Sequence, residues 1–68
     1  MTVEEAEILA QLAAERGGAM HSSTMTRRAR AVAERMSANT NYVRIVAGCA
    51  CVTEPGRAAL KNHQKAFG

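Results

Sequence analysis

A chain of 68 residues provides one small domain, and a domain this short buries a limited share of its surface, so its stability margin is thin. Hydrophobic residues make up 47% of the chain, which excludes simple disorder, although much of that fraction is alanine and predicts a sparse core. The net charge is +3, no apolar run reaches the roughly 20 residues that cross a bilayer, and the first residues are acidic, so we expect a cytoplasmic chain without a membrane segment.

The first predicted element is a helix that begins near the N-terminus. Thr2 and Glu5 have capping-box spacing, and the bulky residues of positions 8–12 then fall on one helical face. The Gly17-Gly18 pair ends this pattern. Residues 19–22 are predicted to be a short connector.

The stretch SSTMTRRARAVAERM, residues 22–36, predicts a second helix that runs to about Ser37. Ser22, Ser23 or Thr24 can cap its N-terminus. At 100° per residue, the apolar and the basic side chains separate onto two sides. The apolar side holds Met25, Ala29, Val32, Ala33 and Met36, and the arginines at 27, 28, 30 and 35 spread over the other.

A β-hairpin and a last helix follow. Residues 42–53 change to β-branched and aromatic types with a turn at Ala47-Gly48, which predicts two antiparallel strands. Thr53 can cap the final helix. One face of that helix holds Leu60, His63 and Phe67, and another holds Arg57, Lys61 and Lys65. The order helix, helix, β-hairpin, helix predicts a single α+β domain over residues 1–68.

Positive charge is concentrated in the middle of the chain. Residues 20–46 contain five arginines against Glu34 alone, whereas residues 1–19 are acidic. Such asymmetry is typical of proteins with an anionic partner, and a solvated basic face without a partner explains it equally well.

Two fragments resemble a known family. SSTMTRRARAVAERM is similar to the recognition helix of winged helix-turn-helix regulators of the multiple-antibiotic-resistance type. VTEPGRAALK, residues 52–61, is similar to the segment that leaves the second wing strand of those proteins and opens their next helix. The resemblance covers about residues 12–61 and implies a small winged-helix DNA-binding domain, a transcription regulator whose helix 23–37 enters the major groove.

The chain departs from this family in three places. Only one long helix precedes Ser22, where the family has two, the glycine expected after the recognition helix is replaced by Met36-Ser37, and the hairpin loop is short. A reduced domain of this kind suits a phage or mobile element. The missing first helix also predicts an uncovered apolar surface, which would be buried in a homodimer or by another protein.

The resemblance implies a DNA-binding site on and around the second helix. Residues in the first turns of a recognition helix usually contact base edges, and we assign that role to Thr26, Arg27, Arg28 and Arg30. Ser22, Ser23 and Thr24 hold phosphate oxygens or cap the helix. Arg44 on the first hairpin strand reaches a phosphate, or it is a solvated charge that protects a strand edge.

Three other function classes compete with DNA binding. The main alternative is a protein-binding module of the same shape, such as a small inhibitor of a host protein encoded by a phage or mobile element. Cys49, Cys51, His21 and His63 are ligand types for zinc, but their spacing is not that of a zinc ribbon or finger, so we predict neither metal nor cofactor. The chain has no phosphate-binding glycine loop, and its serine, histidine and acidic residues do not occur in an order typical of a catalytic triad. We therefore predict no enzyme. Glu34 is expected to pair with Arg30 or Arg27.

Overall fold

The computed structural model describes residues 1–67, apart from the side chain of Phe67. These residues form a three-stranded antiparallel sheet and three helices. In chain order the elements are α1 (Val3–Ala14), β1 (Ala19–His21), α2 (Arg27–Asn39), β2 (Val43–Val46), β3 (Cys49–Val52) and α3 (Glu54–Phe67). Short 3₁₀ turns at Arg16–Gly18 and Ser22–Thr24 lie on either side of β1. The predicted α+β class is confirmed.

Helix α1 begins at the predicted capping box. The Thr2 hydroxyl oxygen accepts a hydrogen bond from the Glu5 amide at 3.1 Å, and the Glu5 carboxylate accepts one from the Thr2 amide at 2.8 Å. This reciprocal pair satisfies two amides that the helix itself cannot bond. The side chains of Leu9 and Leu12 are fully buried, so the predicted apolar face is the one that packs on the core.

The predicted connector at residues 19–22 is wrong for most of its length, because Ala19–His21 forms β1. This strand pairs antiparallel with β3, with Met20 opposite Ala50, and the strand order in the sheet is β1-β3-β2. The Ser22 amide extends the pairing by donating to the Gly48 carbonyl at 2.9 Å. The backbone groups of this extended segment therefore bond to the edge of β3 that the hairpin leaves open.

The predicted cap of α2 by Ser22, Ser23 or Thr24 is also wrong. Those residues form a 3₁₀ turn, in which the Thr24 hydroxyl donates to the His21 carbonyl at 2.8 Å. Met25 is extended, and the helix begins after Thr26, whose hydroxyl oxygen accepts from the Ala29 amide at 3.0 Å. The helix thus covers residues 27–39 rather than 23–37, and Thr26 has the capping role.

The hairpin and the start of α3 match the sequence prediction. Ala47 and Gly48 both have positive φ, +51° and +79°, as tight turns of this kind require. The Thr53 hydroxyl oxygen accepts from the Gly56 amide at 3.1 Å and so caps α3. On α3, Leu60 is buried and His63 is half-buried, whereas the Phe67 side chain lies outside the described part of the chain.

The core lies where the three helices and the sheet meet. Its buried side chains are Ala6, Ile8, Leu9, Leu12, Met25, Val32, Ala33, Met36, Val43, Ala50 and Leu60. Among the described residues, the exposed large apolar side chains are Met1, Val3, Ile45 and Val46. The apolar face of α1 is therefore covered within one chain and needs no second copy to bury it.

Candidate nucleic-acid interface

The four arginines of α2 are all exposed, but they do not stand together on one face. At 100° per residue, Arg27 lies nearly opposite the buried line of Val32 and Met36. Arg30 lies on the side of the helix that borders the hairpin, where it lines a depression with Ile45 and Gly48. The four arginines thus span a broad arc of about 160°, a little under half of the helix circumference.

Arg28 lies on the other side of α2, next to α1, and its guanidinium is bound by an acidic side chain of the same protein. Arg28 Nε donates to Glu4 Oε2 at 2.5 Å. This hydrogen bond holds the pKa of the Glu4 carboxyl below its ordinary value, and the charges of Arg28 and Arg35 act in the same direction. The same bond raises the pKa of the Arg28 guanidinium. One of the predicted contact residues is therefore already paired.

The predicted ion pair of Glu34 does not form within residues 1–67. Neither Arg27 nor Arg30 contacts its carboxylate, and the salt bridge of this helix joins Arg28 to Glu4 instead. Neighbouring charges on a helix surface attract each other weakly, so their spacing alone does not determine a contact. Sequence reasoning missed Glu4, because the two residues lie 24 positions apart and no periodicity connects them.

The charges in the first turn of α2 oppose the helix dipole. Helix α1 has Glu4 and Glu5 in its first turn, and α3 has Glu54 in its first turn and Lys65 in its last, as the dipole favours. Helix α2 differs at its N-terminal end, since its first turn has Arg27 and Arg28 without an acidic residue. The guanidinium groups and the helix dipole both contribute positive charge at the N-terminal end of α2, and the Glu4 carboxylate offsets part of it.

The hydroxyl groups before α2 are largely engaged in local hydrogen bonds. Ser23 Oγ lies 2.8 Å from His21 Nδ1, and the Ser23 amide donates to the same nitrogen at 3.1 Å. Thr24 and Thr26 make the turn and cap contacts described above, and Ser22 is half-buried. These bonds give the hydroxyl groups of Ser23, Thr24 and Thr26 a role in positioning the start of α2.

Arg44 lies apart from the arginines at the start of α2. It is exposed on β2, opposite Cys51 in the strand pairing, and it borders a depression with Ser37 and Thr40 near the C-terminal end of α2. The structure therefore brings Arg30 to the turn end of the hairpin and Arg44 to its other end.

The cysteines and histidines are spread over the sheet and α3. Cys49 and Cys51 are half-buried free thiols on β3, and the pairing places His21 opposite Cys49. His63 is half-buried on α3. In the part of the chain that the structure describes, no three side chains of the types His, Cys, Asp and Glu come close enough to hold a metal ion.

Comparison with known proteins adds no family to these observations. A scan against protein-family models and searches of curated proteins and of solved structures find no match to the chain. Among residues 1–67, no helix combines the length and the apolar character that crossing a membrane requires.

Proposed function

We propose that this protein binds double-stranded DNA through the N-terminal half of α2. The observation that carries the proposal is the position of Arg27 and Arg28 in the first turn of α2, where acidic residues are favoured. A helix whose arginines served only solubility would gain stability from an acidic residue in that turn. The Glu4 carboxylate offsets this cost at Arg28, and the cost at Arg27 is explained if its guanidinium group binds an external anion.

Arg27 and Arg30 are the residues to which we assign the main contacts. Both are exposed, and neither is paired with a carboxylate in the described part of the chain. An arginine in the major groove can donate two hydrogen bonds to one guanine. Ala31 lies next to Arg27 on the outer side of the helix, and its small side chain allows the backbone to approach the bases. Arg35 and Arg44 are then placed to bind phosphates.

The resemblance to winged helix-turn-helix regulators supports the same assignment. A basic amphipathic helix, a short hairpin and a following helix occur in the order that the family implies. On this basis we propose a role in transcription regulation, and an architectural DNA-bending role fits the small size of the domain equally well. The homodimer and the cytoplasmic location expected from the sequence stay predictions.

A protein-binding module is the second candidate function. It is favoured by the hairpin, where the exposed fractions of Ile45 and Val46 are 41% and 52% on the edge strand β2. It is also favoured by the pairing of Arg28 with Glu4, which reduces the positive charge available to DNA. The two functions differ in their response to salt, because neutralising phosphates releases counterions whereas burying apolar surface does not.

The direct test is removal of the two main arginines. We expect Arg27→Ala with Arg30→Ala to lower the affinity for a mixed-sequence DNA duplex by about ten-fold or more, since each such contact contributes about 1–3 kcal/mol. The helix should remain folded, because the substitution removes charges that oppose its dipole. Fluorescence anisotropy measures the affinity, and circular dichroism checks the fold.

The matched control removes the same charge from another helix. Lys61→Ala with Lys65→Ala takes two exposed positive charges from α3 and should change the affinity only slightly. Equal losses for the two double variants would show a general charge effect and contradict the assignment to α2.

A further inference from the structure

The salt bridge between α1 and α2 lies at the edge of the proposed DNA-binding surface. Arg28 is 78% exposed and Glu4 is 46% exposed, so both groups are in water although they belong to different helices. Arg35 lies close enough to Glu4 for its charge to act on that carboxyl group. The Glu4 carboxylate therefore contacts one guanidinium group of α2, that of Arg28, and is influenced by the charge of a second.

We propose that the Glu4 carboxylate competes with DNA phosphate for Arg28, so that α1 limits the affinity of α2 for DNA. The inference rests on the proposed DNA binding and assigns to that site an intramolecular competitor. Glu4 presents to Arg28 the same kind of negatively charged oxygen that a phosphate presents. In the free protein the arginine is occupied, and it becomes a DNA contact when a phosphate displaces the carboxylate.

The exposure of the pair makes this exchange possible at small cost. Ion pairs between exposed side chains are weak because water solvates both charges and salt screens them. A buried pair would leave an unpaired charge after displacement, whereas Glu4 returns to solvent. The exchange still leaves one negative charge near the DNA backbone, which lowers the affinity further.

The position of Glu4 shows that it is not required to start α1. The helix is capped by Thr2 and Glu5, whose two hydrogen bonds do not involve Glu4. Replacing Glu4 by glutamine keeps the side-chain length and removes the charge. Glu7 is exposed one turn further along α1 and forms no ion pair among the described residues, so Glu7→Gln is a matched control for the loss of one negative charge.

The test measures DNA affinity for the two glutamine variants in two backgrounds. With Arg28 present, Glu4→Gln should bind a mixed-sequence duplex several-fold more tightly than Glu7→Gln. Its affinity should also fall by a further factor of about three to four between about 50 and about 200 mM salt, as one added phosphate contact predicts. In an Arg28→Ala background the two glutamine variants should bind equally, because the Glu4 carboxylate no longer has a guanidinium group at position 28 to occupy.

Two results would overturn the inference, and they are distinguishable. If wild-type protein binds DNA and Glu4→Gln equals Glu7→Gln with Arg28 present, the competition is absent while DNA binding stands. If wild-type protein does not bind the duplex, and Glu4→Gln does not either, both the competition and the proposed function fail.

Discussion

Arg28 shows how far single residues could be assigned from the sequence. Its exposed position on α2 was predictable, because the apolar residues at 25, 29, 32, 33 and 36 determine which side of the helix faces the core. Its ion pair with Glu4 was not predictable, since the contact depends on how α1 packs against α2. The hypothesis that Glu34 pairs with Arg27 or Arg30 was wrong for another reason: neighbouring charges on a helix surface attract each other too weakly for their spacing to determine a contact.

The shifted pKa of Glu4 gives a pH-dependent contribution to stability. Because Arg28 lowers the pKa of this carboxyl in the folded state, its contribution is fully present above the unfolded-state pKa and is lost as the pH falls through the folded-state pKa. We therefore expect wild-type protein to melt at a higher temperature than Glu4→Gln at neutral pH, and the difference to shrink as the pH falls below the ordinary pKa of a glutamate. Thermal melts followed by circular dichroism measure it.

An Arg28→Ala background provides the control for this pH effect. There the difference in melting temperature between the protein that keeps Glu4 and its Glu4→Gln variant should be smaller at neutral pH, because the main cause of the pKa shift is gone. A melting difference that stays constant down to acidic pH would contradict the assignment of the stabilisation to the ionised carboxylate.

At the scale of elements, the sequence was informative wherever a local hydrogen bond defines a boundary. The capping box of α1, the turn at Ala47-Gly48 and the Thr53 cap are all formed by residues close in sequence. Strand β1 was missed because three residues carry no periodicity, and Ala19–His21 becomes a strand only by pairing with β3. The start of α2 was misplaced because four hydroxyl residues precede it and each is a suitable cap.

The position of the α2 cap can be tested by removing one hydroxyl group. We expect Thr26→Ala to lower the free energy of unfolding by about 1 kcal/mol, because the Ala29 amide loses its acceptor. Thr26→Ser keeps the acceptor and should remain near wild-type stability. Urea unfolding measures both variants. A larger loss for Ser23→Ala than for Thr26→Ala would place the cap in the turn at residues 22–24 instead.

For the whole molecule, the sequence predicted the α+β class and the order of the helices and the hairpin, and the structure adds a third strand. The expected uncovered surface is not found on α1, since Leu9 and Leu12 are fully buried within one chain. Family membership stays a prediction, because no known family or structure matches the chain. DNA binding stays a prediction, because it depends on what the exposed arginines bind. The fold alone does not determine function.

The measurement that most directly tests the central claim is the salt dependence of DNA binding by the wild-type protein. If Arg35 and Arg44 neutralise phosphates, and Arg28 joins them by exchanging Glu4 for a phosphate, the logarithm of the binding constant should fall against the logarithm of salt concentration with a slope of about −2 to −3. Anisotropy titrations of a mixed-sequence duplex at several salt concentrations give this slope. A slope near zero, or no binding at low salt, would contradict the claim that α2 is a DNA-binding helix.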